Sequence, residues 1–224
     1  MTRTKVVEGR PFGEMYSRGY ERDSIGRIIV GTDGIPVISA GQTVYIGNSR
    51  PDWIGGFGNR FTYKHFELSF LISARMGGSI CSFTNANLYG DGMVEQTIEG
   101  RNGFTFDGVT ATGAKNTVPT TAEAYWSKVG GRNTPVGEIF TYSSSNIRLR
   151  ELVFSYIIPQ STWGRAPIKS ATISFTGRNL FFLKNDAEGF DPELVLSTDN
   201  GLVGTESFCL PFTRSFGLNL NLTF

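Results

Sequence analysis

The sequence is poor in residues that carry chemistry. One histidine, His65, stands alone, and two cysteines, Cys81 and Cys209, lie far apart in 224 residues. A single histidine with no second histidine or cysteine cluster beside it excludes the usual transition-metal constellations and leaves acid–base catalysis little to work with. His65 reads as a solvated turn residue. The cysteines read as free thiols or as one disulfide of an oxidising compartment, and spacing alone does not choose between them. An excess of one charge is also missing. Lys+Arg 21 against Asp+Glu 20 leaves a net charge of +1, which gives no electrostatic ground for nucleic acid as a partner. No apolar run approaches the ~20 residues of a spanning helix. Nor does an apolar stretch of ~7–15 residues follow the basic start, so no secretory signal peptide is visible. A mean hydropathy of −0.13 is nevertheless what one apolar and one polar face average to, which leaves a membrane β-barrel open.

What is present points to strands. Gly 28, Pro 9 and 13% aromatic residues combine turn formers with residues that favour pleated sheets. The clearest pattern closes the sequence. In Arg214–Phe224, Phe216, Leu218, Leu220, Leu222 and Phe224 share one face, and Gly217, Asn219, Asn221 and Thr223 the other. A strict period of two is a strand, because successive side chains point to opposite faces. The small uncharged polar face and the terminal aromatic suit a barrel wall, with lipid on one side, lumen on the other and an aromatic at the interface. The same alternation recurs at Ala171, Ile173 and Phe175, and at Leu152, Phe154, Tyr156 and Ile158 before Pro159. It recurs again at Phe57, Phe61 and Tyr63, turning at Lys64-His65 into Phe66, Leu68, Phe70 and Ile72. A sixth, weaker candidate runs from about Phe12 to Glu21. Short turns alternate with long Gly-, Thr- and Asn-rich connections. If the C-terminus is periplasmic, every short turn falls inside and every long loop outside.

Other candidate sites are weak. Asp186, Glu188, Asp191, Glu193 and Asp199 could supply oxygen ligands to a hard cation but depart from the EF-hand pattern, so a solvated acidic loop over 186–199 is the simpler reading. Paired carboxylates for glycoside hydrolysis could be nominated there, yet nothing fixes their separation. Gly55-Gly56 and Gly77-Gly78 flank strands, not helix starts, which argues against a phosphate-cradling loop. Trp53 and Trp163 read as interfacial girdle residues. Tyr125 and Trp126, in a long outer loop, are candidate ligand-facing aromatics able to stack on sugar rings. No catalytic residue, metal ligand or cofactor site emerges.

Four motifs, in order, resemble one family. G-N-S-R-P-D-W-I-G-G-F (Gly47–Phe57) with F-T-Y-K-H-F-E-L-S-F (Phe61–Phe70), N-I-R-L-R-E-L-V-F-S-Y-I-I-P (Asn146–Pro159), G-R-N-L-F-F (Gly177–Phe182) with G-F-D-P-E (Gly189–Glu193), and the closing P-F-T-R-S-F-G-L-N-L-N-L-T-F are similar to stretches of SusC/RagA-type TonB-linked outer-membrane proteins. The first forty-six residues resemble that family more loosely. The resemblance implies an all-β fold, about six antiparallel transmembrane strands of a 22-stranded barrel with long extracellular loops. The expected division is a weak strand plus outer loop over 1–52, a hairpin over 53–76, a long outer loop over 77–147, a hairpin over 148–183, an outer loop over 184–213 and a closing strand over 214–224. It implies import of glycans or peptides across the outer membrane, a SusD-like surface lipoprotein, the TonB-ExbB-ExbD complex acting through a missing N-terminal part, the barrel-assembly machinery, outer-membrane lipid and an oligosaccharide or peptide substrate. Phe216, Leu218, Leu220, Leu222 and Phe224 would then be the barrel-closure and assembly signal. No TonB box, plug or regulatory N-terminal domain is visible, so the chain reads as the C-terminal portion of such a transporter, inactive alone and not an enzyme. The rival from another class is a soluble β-sandwich carbohydrate-binding module, which would need the same apolar faces to pack across two sheets.

Overall fold

The computed structural model describes residues 2–162, 164, 167–187, 189–194, 196 and 202–224. In chain order its strands and helices are β1 (Arg3–Lys5), β2 (Glu14–Ser17), β3 (Val44–Asn48), β4 (Trp53–Tyr63), β5 (Phe66–Met76), β6 (Ser79–Ser82), α1 (Phe83–Gly90), α2 (Ala122–Val129), β7 (Thr141–Ser143), β8 (Asn146–Ile158), β9 (Ser170–Asn185), β10 (Thr205–Glu206) and β11 (Ser215–Thr223). They divide into two compact units. One comprises Met1–Arg50, Gly78–Ser143 and Glu193–Leu210, the other Pro51–Gly77, Ser144–Pro192 and Pro211–Phe224.

The second unit is the wall. Its five strands form one antiparallel sheet in the order β11-β9-β8-β5-β4, each next to its neighbour in sequence. The strands run 9 to 16 residues, enough to cross a bilayer core, which takes ~9–11 tilted residues. Five strands form this sheet where about six were expected, and it is not closed. The weak candidate at Phe12–Glu21 lies in the other unit, where β2 pairs with β1 and β3. Its four residues span only ~14 Å at ~3.4 Å per residue, too short to cross lipid. Lys64, at φ 53°, makes the two-residue hairpin between Tyr63 and Phe66, since such turns need left-handed backbone.

Register sorts the side chains into two faces. Phe57, Phe61 and Tyr63 on β4 lie opposite Ile72, Leu68 and Phe66 on β5. Leu68 continues to Phe154 on β8, Phe175 on β9 and Leu218 on β11. The rings touch along these rows, Phe66 stacking on Phe154 at 5.8 Å and Phe175 on Phe216 at 5.9 Å. A β-sandwich would cover such a face with a second sheet. Here Phe57 is 58%, Phe175 49% and Leu218 77% exposed.

On the other face, the strand β8 departs from simple alternation. Its pairing with β5 jumps from Leu71↔Glu151 to Ile72↔Leu149, leaving Arg150 as one extra residue, a β-bulge. The bulge reverses the parity of everything before it. Leu149 and Ile147 join the apolar face, opposite Ile72 and Ala74, while Arg148 turns to the polar face opposite Ser73. Opposite the bulge, β9 skips from Arg178 to Phe181, with Asn179 at φ 52°. Asparagine is one of the few side chains that tolerates this conformation.

Arg148 is the side chain this shift protects. Its guanidinium lies 4.0 Å from the Phe182 ring centroid and 5.5 Å from that of Phe212 and forms an ion pair with Asp191, the two side chains being 3% and 5% exposed. Two of the sequence motifs therefore meet in one buried pair. Removing one partner of such a pair leaves an uncompensated charge. Asp191→Asn is expected to lower stability by about 3–5 kcal/mol, whereas Arg148→Met with Asp191→Leu recovers most of the loss; denaturant unfolding of the bilayer-reconstituted protein measures both. In the same assay Leu218→Arg is expected to cost about 2–4 kcal/mol, as a charge on a lipid face does, and Asn219→Arg on the opposite face far less.

Candidate functional site

The polar face of the wall is charged and internally paired. Arg60 reaches Glu67 at 3.3 Å, and Arg178 reaches Glu151 at 2.9 Å. The Arg150 guanidinium donates to the Ser73 hydroxyl at 2.8 Å, and the Ser155 and Ser174 hydroxyls are 2.8 Å apart. Such a face suits water and excludes lipid. The expected closure residues lie opposite it: Phe216, Leu218, Leu220 and Leu222 are exposed on the apolar face of β11, paired with Gly177, Phe175, Ile173 and Ala171. Phe224 follows the last strand residue, is exposed, and its carbonyl accepts a hydrogen bond from Lys169 Nζ at 3.0 Å. Trp53 is exposed at the start of β4. Trp163, Glu188 and Asp199 lie outside the described residues. Of the remaining acidic candidates, Asp191 is held by Arg148 and Asp186 pairs with Lys184 at 3.0 Å. No metal-ligating cluster occurs among the described residues.

The first unit holds a cleft that the sequence reading did not anticipate. The stretch 77–147, read as irregular loop, contains α1 and α2. α2 is built by local rules: the Thr121 hydroxyl accepts from Ala124 N at 3.2 Å as N-cap, Glu123 sits in the first turn, Lys128 in the last, and Ala122, Tyr125 and Val129 are buried. Opposite charges at the two ends complement the helix dipole. The two helices cross through glycine. A Cβ on Gly130 would sit 2.6 Å from Ala86 O, and one on Gly90 would sit 2.5 Å from Gly131 N. This approach brings the Tyr89 and Trp126 rings to 4.6 Å. Beside them opens a cleft of ≈ 480 Å³ edged by Asp91, Arg101, Glu123 and Ser127. A second hollow of ≈ 370 Å³, lined by Glu99, Phe104, Phe106 and Tyr125, shares Trp126.

The two loop aromatics thus separate. Trp126 lies at both hollows, half-buried. Tyr125 lines the second hollow and is otherwise buried, in a core with Tyr20, Ile35, Val129 and Val136. Its buried hydroxyl is 2.6 Å from that of Tyr20. Burial pushes both phenols above the ordinary 10.0, Tyr20 the more strongly, with the neighbouring phenol adding to its shift. Asp33 is held below the usual carboxylate range by the Lys128 ammonium, 2.6 Å away. Cys81 and Cys209 are not bridged to one another: Cys81 is buried, its ionisation pushed up by burial, and the half-buried Cys209 thiol donates to Ser207 O at 3.6 Å.

No family model matches the chain. Two curated relatives from Formosa agariphila do. The chain is 28% identical to TonB-dependent receptor P3 over 209 residues, 91% of its length, and 29% identical to TonB-dependent receptor P26 over 199 residues, 86% of its length. It spans 19% of the length of each. Among solved structures, the RagAB peptide importer in its "closed-closed" state matches over 99% of this chain and 25% of the importer chain, at a TM-score of 0.61 and 19% identity. Its "open-open" state gives 0.62 at 18% identity. Over most of its length the chain is thus similar to TonB-dependent receptors, and it shares the fold of part of the RagAB importer chain. Along the chain the family-like motifs mark the hairpin β4–β5, the bulged strand β8 and its buried Arg148–Asp191 pair, the Asn179 distortion and β11.

Sequence reasoning missed Tyr89, Asp91, Arg101 and Glu123. The signal for α2 was present in T-T-A-E-A-Y-W-S-K-V-G-G, with N-cap, charge order and terminal glycine; α1 has the N-cap Ser82, whose hydroxyl accepts from Asn85 N, but no charged residue in its first or last turn. The phenol pair gives a pH test. A raised phenol keeps its stabilising contribution below 10.0, where unfolded tyrosine is still neutral, and loses it as pH rises further. Ultraviolet titration is expected to show Tyr20 ionising only as the first unit unfolds and Tyr125 later than an exposed phenol, and Tyr20→Phe to flatten that alkaline loss.

Proposed function

We propose that the chain forms a wall segment of an outer-membrane nutrient importer, a SusC-like TonB-dependent transporter for glycans or peptides. The observation that carries this reading is the uncovered two-faced sheet: an apolar belt on one side and paired charges on the other are what lipid and an aqueous lumen respectively require. In this reading the Lys64-His65 turn and the connection from Pro159 face the periplasm. The long connections leaving Met76 and Asn185 face outward.

The segment does not transport by itself. Even eight strands leave a barrel interior only wide enough for side chains, so five need the remainder of a 22-stranded receptor around them. Energy comes from TonB-ExbB-ExbD acting on a part of the receptor outside this chain. A SusD-like lipoprotein caps the outer face, and β11 with Phe224 presents the strand read by the barrel-assembly machinery. The role is transport, not catalysis, and it calls on no cofactor.

The receptor carrying this chain is expected to fractionate with outer membranes and to show heat-modifiable migration, and deletion of Phe224 is expected to lower the assembled fraction severalfold. The 224-residue chain remaining soluble and monomeric without detergent would defeat the wall reading. Normal assembly without Phe224 would remove only the role given to that residue.

A further inference from the structure

The helical cleft of the first unit has the make-up of a ligand site, and nothing in the wall accounts for it. Its sides are rigid. Backbone contact through Gly90 and Gly130 fixes the α1–α2 crossing, and Gly131 N donates to Ala86 O at 2.8 Å. Asp91 closes α1, its N–H donating to Asn87 O at 2.9 Å, and Arg101 Nε donates to Thr97 O at 3.4 Å. A ligand entering such a site meets a backbone frame already ordered, which lowers the entropic cost of binding. The two hollows meet at Trp126, and each has a volume typical of small-molecule pockets. A ligand that fills both is an extended chain with units on either side of the indole.

The lining selects the chemistry of that chain. Asp91 and Glu123 in the first hollow and Glu99 in the second give three carboxylates against the single guanidinium of Arg101. The carboxylates of Asp91 and Glu123 make no hydrogen bond or ion pair among the described residues. Ionised carboxylates only accept hydrogen bonds. They therefore suit a ligand rich in O–H donors and repel one carrying negative charge. The aromatic faces complete the pattern, since a pyranose ring offers an apolar C–H face and a hydroxylated rim. An extended peptide is the poorer fit because it binds chiefly by adding a strand to a free sheet edge. The extended backbone here is already used, Phe104 and Thr120 exchanging both hydrogen bonds at 2.8 Å.

We propose that this cleft binds a neutral oligosaccharide, with one sugar unit on each side of Trp126 and with Asp91, Glu123 and Glu99 accepting hydrogen bonds from its hydroxyls. The proposal rests on the importer reading only for its biological purpose; binding itself is measured on the purified receptor that carries this chain.

Calorimetric titration would use neutral hexasaccharides of glucose, galactose and mannose, a hexameric polyuronate and a neutral hexapeptide. At least one neutral sugar is expected to bind, with the polyuronate and the peptide at least about tenfold weaker. Trp126→Ala should weaken sugar binding about tenfold or more, and Trp126→Phe, which keeps a ring, by less. Because Trp126 also packs on Tyr89 and Tyr125, Glu123→Gln at the exposed start of α2 is the cleaner variant. It should weaken binding severalfold with only a small change in thermal unfolding, since the lost helix-end charge is exposed. Binding of none of the sugars, or sugar affinity unchanged in both Trp126→Ala and Glu123→Gln, overturns the proposal. Peptide binding as tight as sugar and lost with Trp126→Ala overturns the assigned ligand class. A receptor that binds sugar but fails to fractionate with outer membranes would instead sink the importer reading and leave the site standing.

Discussion

Each strand of the wall has to satisfy two solvents at once, and everything else in the second unit follows from how it does so. Backbone groups that meet lipid have no water to bond, so neighbouring strands must supply every partner. The meander of β4, β5, β8, β9 and β11 does this for its inner strands β5, β8 and β9, each paired on both sides, and leaves β4 and β11 as edges. Side chains then divide by parity, rings and leucines to one face, arginine, glutamate and serine to the other. The polar face is not simply hydrophilic. Its charges are neutralised strand to strand by Glu67 and Glu151, so the wall presents paired charge to the water beside it.

The buried Arg148–Asp191 pair is the point at which the wall departs from pure alternation and at which its motifs interlock. An arginine at position 148 would face lipid if β8 kept the parity of Leu152, Phe154 and Tyr156. The extra residue at Arg150 turns it to the polar side, where a carboxylate from the segment after β9 and two aromatic rings enclose it. The cost of desolvating a guanidinium is met by a full set of partners, not by exposure.

The strands, their order and the hairpin at Lys64-His65 were legible because period two is a strong local signal and the tight turn separates two alternating runs. The bulge was not. Alternation in Leu152, Phe154, Tyr156 and Ile158 gives no hint that Leu149 joins the same face, because one inserted residue is invisible until the partner strand supplies the register. The first unit was legible least of all. Its elements are short, its core draws Tyr20, Ile35, Tyr125 and Val136 from distant stretches, and its glycines serve a helix crossing where composition alone suggests loops. Trp126 could be nominated from sequence as an exposed aromatic. Its neighbours Asp91 and Arg101 could not, since only the fold brings them to the cleft.

The bulge at Arg150 also changes how this strand can diverge. Elsewhere in the sheet, moving a stretch from one solvent to the other requires replacing its side chains one at a time. In β8 a single-residue insertion or deletion at this position exchanges the solvent met by the whole segment before it, with no side chain altered. The strand is in effect read in two frames. Comparison of relatives position by position will therefore find apolar and charged residues trading places upstream of Arg150 wherever the frame differs, although the wall itself is unchanged.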